Sequence, residues 1–506
     1  MTERLLPPPL RPALRQTLRP TSAHRPAAGG ALAGLALACG LLLAGCAVGP
    51  DYQRPAAAQP AAFKEAQGWK AAAPADDAPR GAWWTIYQDR VLDGLLEQVS
   101  LSNQDVAQYQ ASYRQALALV RGSQADLYPS LSASLDASRS RSASSSTGSS
   151  GSTSRSSIGT SGSAALSASW ELDLWGKLRR TVEENRASAQ ASAAELASAT
   201  LSAQSTLAQD YFQLRLLDQR IALYQDTLTA YQGYLRVIQN KYDEQIVSRA
   251  DLAQAQTQLD SARAAALDLQ WQRAQYEHAI ALLIGQAPAD FSLPADPQWR
   301  AHLPDIPVGL PTQLLERRPD IAAAEREIAA ANAAIGVAQA AYFPDLTLSA
   351  SGGVESSSLA KLFSLPNRVW SIGPSLAGTV LDFGATRASV EQARAAYDAK
   401  VAAYRQSVLS ALGEVEDDLV QLRTLAPEIE AQARAAESAR VSARLTRDQY
   451  EAGLIDYLDV ATTEATRLTQ QQSLLSLMST QLVTSVQLIA ALGGGWHAGA
   501  DEQAKN

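Results

Sequence analysis

The sequence is poor in cysteine, methionine, histidine and phenylalanine, with 2, 2, 4 and 6 in 506 residues. The histidines, at 24, 278, 302 and 497, are scattered without metal-ligand spacing, so neither a metal site nor a cofactor is expected. No glycine-rich phosphate loop is present, because Gly493-Gly494-Gly495 follows a helical stretch rather than a strand. The acids Glu416-Asp417-Asp418 sit in a helical stretch and read as a solvated face. Together these absences leave little support for an enzyme. The formal charge of −8 removes the electrostatic case for nucleic acid. Proline is missing from the whole stretch Trp175–Gly285, and nothing else there breaks a helix for dozens of residues.

Alanine, glutamine, leucine, glutamate and arginine fill that stretch, and these are good helix formers. Continuous helix from Gly176 to about Gln245 would run roughly 100 Å at ~1.5 Å per residue. The stretch has a twin in Phe383–Gly493. At an offset of 208, Gly176 matches Gly384, Val182 Val390, Glu183 Glu391, Arg186 Arg394, Tyr242 Tyr450, Asp251 Asp459 and Gly285 Gly493. One register held over a hundred residues is an internal duplication, with a period too long for a short-repeat solenoid.

The first 45 residues carry five arginines, no lysine and one acid. The apolar run Ala31–Leu43 then leads into Leu43-Ala44-Gly45-Cys46. The run is too short to span a bilayer and fits a signal-peptide core. Leu-Ala-Gly-Cys resembles the bacterial lipoprotein box, which makes Cys46 a lipidation (palmitate) candidate. With Cys46 the only cysteine after cleavage, no internal disulfide can form. Pro/Ala-rich chain to about Pro79 reads as an extended tether, and Trp83-Trp84 as a hydrophobic anchor opening the folded part.

A helix is expected over Leu92–Leu127, stopped by Tyr128-Pro129. There the period changes from 3.6 to 2. In Leu131–Ala137, and again in Leu166–Leu174, apolar residues alternate with polar ones, as in a strand with lipid on one side and water on the other. Ser138–Ser163 between them, almost all Ser, Gly, Thr and Arg, is expected to be a mobile exposed loop. The second half repeats the layout. Leu314–Ala341 reads as helix, Phe343-Pro344 as stop, and Leu346, Leu348 and Ala350 as one strand face. A strand with Trp370, Ile372, Leu376 and Val380 in phase follows. Four strands cannot close a barrel, and an open sheet in lipid leaves backbone groups unsatisfied. Membranous strands would therefore require an oligomer whose subunits share one barrel.

Each long stretch is interrupted once in the same place. Gly453 suits a left-handed helix end. Ser248 and Asp456 suit N-caps, each with an acid three residues on as in a capping box. Both places read as tight helix–turn–helix tips, and Pro427 is expected to break the later copy a second time.

Cys46 with Gly49-Pro50-Asp51-Tyr52 and Arg54-Pro55, Arg317-Arg318-Pro319-Asp320-Ile321, Tyr450-Glu451-Ala452-Gly453 leading into Leu458-Asp459-Val460, and Ala491–Trp496 occur in this order. Over nearly all of the mature chain they resemble the TolC-like outer membrane factors, most nearly the acylated OprM/NodT-type branch. The resemblance implies a mainly α fold with membrane β. Each chain would give four strands to a trimeric, twelve-stranded outer membrane barrel, and its long α-hairpins would form a periplasmic tunnel. The expected division is 1–45 signal peptide, 46–88 acylated tether, 89–127 helix, 128–174 hairpin with a Ser-rich extracellular loop, and 175–287 tunnel helices and tip. It continues as 288–311 equatorial linker, 312–342 helix, 343–382 second hairpin, 383–496 tunnel helices and tip, and 497–506 tail.

The implied function is the exit duct of a tripartite efflux system for small molecules such as drugs. The implied partners are two further copies, outer membrane lipids, a periplasmic adaptor and an inner-membrane transporter of RND type. Asp459, Tyr450 and Asp251 are tunnel-gate candidates. A ring of Asp459 would favour cations, while a first-turn acid on a helix dipole explains Asp459 and Asp251 equally. The second acid that family members often carry is Thr462 here, which puts a two-tier acidic gate in doubt. Gln245, Ile246, Val247, Ser248, Gly453, Leu454, Ile455 and Asp456 are the adaptor-contact candidates. Alternative readings are a duct for type I protein secretion and a periplasmic coiled-coil lipoprotein without a pore.

Overall fold

Two pairs of helices of equal length govern the structure. The computed structural model describes residues 47–58, 60–65, 82–146, 153–304, 306 and 317–494; Cys46 and the signal peptide lie outside the described residues. In chain order the elements are α1 (Arg90–Ser102), α2 (Gln104–Ala125), β1 (Ser130–Ser146), β2 (Thr153–Leu172), α3 (Lys177–Asp243) and α4 (Arg249–Leu283). The second copy supplies α5 (Pro319–Ala340), β3 (Asp345–Ser356), β4 (Arg368–Ala377), α6 (Ala385–Glu451) and α7 (Tyr457–Ala491). Helices α3 and α6 are both 67 residues, α4 and α7 both 35, and α2 and α5 both 22. The duplication seen in residue identities is therefore a duplication of backbone.

The expected helix over Leu92–Leu127 is instead two helices. Asn103 breaks it by taking an extended backbone, and its side chain accepts from the Val106 amide as an N-cap. The expected break at Pro427 is absent, and α6 runs through it. Leu422 and Leu425 are buried just before it. That packing outweighs the roughly 3 kcal/mol that an interior proline costs. The helix expected from Leu314 is seen from Pro319, with 314–316 outside the described residues.

The four strands form one antiparallel sheet in the order β1-β2-β3-β4. Its register aligns the alternation across all four. Leu131, Ala168, Ala350 and Ile372 form one row, and Ser132, Ser167, Ser351 and Ser371 the next. Because successive residues point to opposite faces, one face is an apolar row and the other a hydroxyl row. Ser351 and Ser371 share a hydrogen bond of 2.8 Å within theirs. The Ser-rich stretch expected to be a loop is mostly strand, paired as far as Ser146 with Thr153. Ladder bonds come from backbone, so serine and threonine sustain them wherever one face is wet. Val380, expected in phase with Trp370, lies beyond the end of β4.

The core sits midway along the long helices. Leu92, Leu96, Leu207, Tyr211, Phe212 and Ile280 are essentially inaccessible there, packed with Trp83, Trp84 and Val486. Buried charges tie the inter-repeat linker to this level. Asp218 joins Arg215 and Arg273. Arg273 donates to the Leu293 carbonyl at 2.6 Å, and Arg215 to that of Pro294 at 2.8 Å. The Asp89 carboxylate accepts from the Tyr211 hydroxyl and the Trp299 indole, at 2.7 and 2.8 Å.

Candidate functional site

Two places combine unusual exposure with built geometry, one at each end of the long helices. The first is the sheet. Leu131, Leu135, Leu166, Trp370, Ile372 and Leu376 are all more than half exposed, on one face of the sheet. β1 and β4 each have only one pairing partner among the described residues. At the foot of the sheet Lys177 pairs with Glu171 and Asp345, both at 3.3 Å, linking β2, β3 and the start of α3.

The second place is the pair of tips. Each tip ends its long helix on a left-handed residue, Gln245 (φ 64°) in the first and Gly453 (φ 75°) in the second. In both, the following amide reaches back across the turn: Ile246 to the Lys241 carbonyl at 2.8 Å, and Leu454 to that of Gln449 at 2.9 Å. This is the Schellman closure, here achieved once without glycine. Ser248 caps α4 in a full capping box with Asp251. The Asp251 carboxylate is thereby engaged with Ser248. Asp456 makes no such cap, contrary to expectation. Its side chain accepts no capping hydrogen bond, and only its backbone carbonyl meets the Asp459 amide, at 3.3 Å.

Of the gate candidates, Tyr450 is buried and Asp459 exposed at the start of α7. The Lys241 ammonium lies 4.4 Å from the Tyr450 ring centroid and 3.3 Å from its hydroxyl. Tyr450 packs edge-on against Tyr457, beside Ile238 and Val460. A turn further along, the buried Glu464 binds Arg467 at 2.6 Å and accepts from the Tyr234 hydroxyl at 3.3 Å. The Tyr234 bond fastens α7 to α3. Sequence reasoning missed Lys241, Tyr457, Tyr234 and Glu464. Their positions across the repeat hold Gln449, Arg249, Ser442 and Gln256, so the signal available was divergence, where the copies depart from each other near an otherwise matched tip. Ile246, Leu454 and Leu458 are 65, 74 and 60 % exposed, and leave apolar surface at the tips.

A duplicated helical body, a sheet with exposed apolar side chains on one face and paired tips now have relatives to stand beside. The sequence profile described as "Outer membrane efflux protein" matches residues 95–286 and 310–494. The chain belongs to the outer membrane efflux protein family. It is 30% identical over 459 residues to the cation efflux system protein CusC of Escherichia coli O6:H1, covering 90% of this chain and 97% of that one. It is 32% identical over 465 residues to the solvent efflux pump outer membrane protein SrpC of Pseudomonas putida, again covering 90% and 97%. The solved outer-membrane channel OprN superposes with a TM-score of 0.79 at 29% identity, covering 89% of this chain and all of that one. The fold, mainly helical with a small sheet, is that of these efflux channels, the TolC-like outer membrane factors.

Proposed function

We propose that the chain is the exit duct of an efflux system, three copies of which close a twelve-stranded barrel in the outer membrane. What carries this reading is the sheet. It has an apolar row open to one side and an edge strand at either end. In lipid each unpaired backbone group on such an edge costs several kcal/mol, which only closure with further strands relieves. The second support is the pair of 67-residue helices, each roughly 100 Å long at ~1.5 Å per residue, enough to carry a conduit well into the periplasm.

In this reading Cys46 carries the acyl anchor. The exposed tips, from Gln245 to Ser248 and from Gly453 to Asp456, meet a periplasmic adaptor, and an inner-membrane transporter of RND type drives export. Tyr450 with Lys241 holds the resting tip, and Asp459 faces the narrow end. The cargo is small molecules, and its choice rests with the pump; the named relatives divide between cations and solvents.

The test is electrical. The purified protein in a planar bilayer should give single-channel conductance and run as a heat-dissociable trimer on unheated gels. A monomer without conductance would favour the pore-free lipoprotein.

A further inference from the structure

The duct reading assigns no role to Gly49-Pro50-Asp51-Tyr52, yet the structure builds a site around them. The segment Ala47–Arg54 lies along the seam where α5 packs on α3 and α6. Its Val48 amide donates to the Trp175 carbonyl at 2.9 Å. The Arg180 guanidinium donates to the carbonyls of Val48 and Gly49, both at 3.3 Å, and to the Asp51 carboxylate at 2.9 Å. The Asn332 amide donates to the Pro50 carbonyl at 2.9 Å, and the Tyr52 hydroxyl to Glu325 at 2.5 Å. Arg180, Asn332 and Glu325 are 6, 5 and 6 % exposed. Pro50 is the one partner of the Asn332 side chain among the described residues. Without it that buried amide would be left an unsatisfied donor.

The wall is also stripped of side chains where the segment passes. A Cβ on Gly336 would lie 2.9 Å from the Val48 carbonyl oxygen, and one on Gly176 2.9 Å from the Ala47 Cα. Gly49 itself sits at φ +108°, with Gly336 Cα 2.5 Å from where its own Cβ would be.

The duplication provides an internal control. Across the repeat, at an offset of 208 for α3 and α6 and of 215 for α2 and α5, Arg180 becomes Ala388, Asn332 becomes Leu117, Glu325 becomes Gln110 and Gly336 becomes Arg121. Gly384, the twin of Gly176, keeps the left-handed backbone at φ +97° but meets nothing within 4 Å. The recognising set therefore exists in one copy only and is not a by-product of helix packing.

We propose that this seam is a peptide-binding site, specific for a short Gly-Pro-Asp-Tyr segment and filled in cis by Ala47–Arg54, and that its occupancy fastens the first repeat to the second. The site works through backbone carbonyls, one carboxylate and one phenol, and requires glycine where the ligand crosses Gly336. It does not depend on the duct reading.

The experiment uses the full chain in detergent, with a protease site placed within residues 66–81 and cut after folding. The probe is a fluorescein-labelled synthetic peptide of the sequence from Ala47 to Ala56. The cut protein should take up this peptide at least tenfold better than its Gly49→Ala version, and an Arg180→Ala chain should take up the parent peptide at least tenfold less well. Equal uptake of the two peptides overturns the proposal. Should the resident fragment block all uptake, the uncut chain decides. There Gly49→Ala must lower the thermal unfolding midpoint, read by loss of helix signal, while Gly413→Ala, whose Cβ meets nothing within 4 Å, does not. A Gly49→Ala chain as heat-stable as the parent overturns it too, and mass spectrometry of Cys46 in both chains separates this effect from any loss of the acyl group.

Discussion

The Asn103 side-chain amide donates to the Leu283 carbonyl at 2.8 Å, and 215 positions later Arg318 does the same to the carbonyl of Ala491 at 3.2 Å. Two different residue types thus close the same joint, in which the last carbonyls of a return helix are satisfied by the N-cap residue of a short helix. Asn103 also caps α2 through Val106. Asn103→Ala should therefore lose a cap and a tertiary bond together, about 1–2 kcal/mol. The thermal unfolding midpoint reads this, and an unchanged midpoint would mean the joint contributes nothing.

The same joints depend on Gly285 and Gly493. Both have positive φ, and a Cβ would fall 2.1 Å from the Ser102 carbonyl oxygen in one and 2.3 Å from that of Arg317 in the other. Alanine at either position forces backbone apart and should cost upwards of ~2 kcal/mol. Gly233→Ala, in open helix surface, should stabilise by roughly 0.5–1 kcal/mol. Chemical denaturation of the three variants checks the order.

Gln245 holds a conformation that its counterpart Gly453 adopts without steric penalty. Gln245→Gly should stabilise the first tip by up to ~1 kcal/mol, because left-handed backbone costs a side-chain-bearing residue about 1–2 kcal/mol and glycine returns part of that as entropy. Hydrogen exchange of the Ile246 amide is the readout, and faster exchange in the variant would contradict it.

If Tyr450 and Lys241 hold the resting tip, Tyr450→Ala should raise basal conductance in planar bilayers, while Tyr450→Phe, which keeps the ring under the ammonium, should change it far less. Asp459→Asn should leave conductance in place and move the reversal potential in a salt gradient toward weaker cation preference. An unaltered reversal potential would remove Asp459 from the ion path.

Burial, reinforced by the charges of Glu414 and Asp417, pushes the Asp418 carboxyl up to about 7. It lines a cavity of about 480 Å³ between α3, α5, α6 and α7, which Arg318 and Asp320 also face. A folded-state value above the unfolded one means that the folded protein holds the extra proton. This stability is fully present below about pH 4 and is lost as pH rises through about 7. Asp418→Asn should thus stabilise the protein at pH 8 by ~1–2 kcal/mol, since partial exposure to solvent screens much of the full linkage energy, roughly 1.4 kcal/mol for each tenfold change in proton affinity. Near pH 4 it should do nothing. Melting at the two pH values tests this, and an equal gain at both would exclude a titration effect.

The sequence alone determined the framework. Identical residues at one offset, the change of period at Tyr128-Pro129 and Phe343-Pro344, and the caps at Ser248 and Gly453 are local signals, carried by short-range sterics and backbone bonding. Tertiary structure decided where a local preference would yield. Pro427 stays in helix because neighbouring helices bury the residues beside it. The Ser-rich stretch becomes strand because a partner offers a ladder. Gln245 takes a glycine's backbone because the hairpin must turn there, and the fit of Gly49 against Gly336 exists only once residues nearly three hundred apart in the chain are brought together. Such outcomes depend on free energies supplied by distant residues, which no local window of sequence contains.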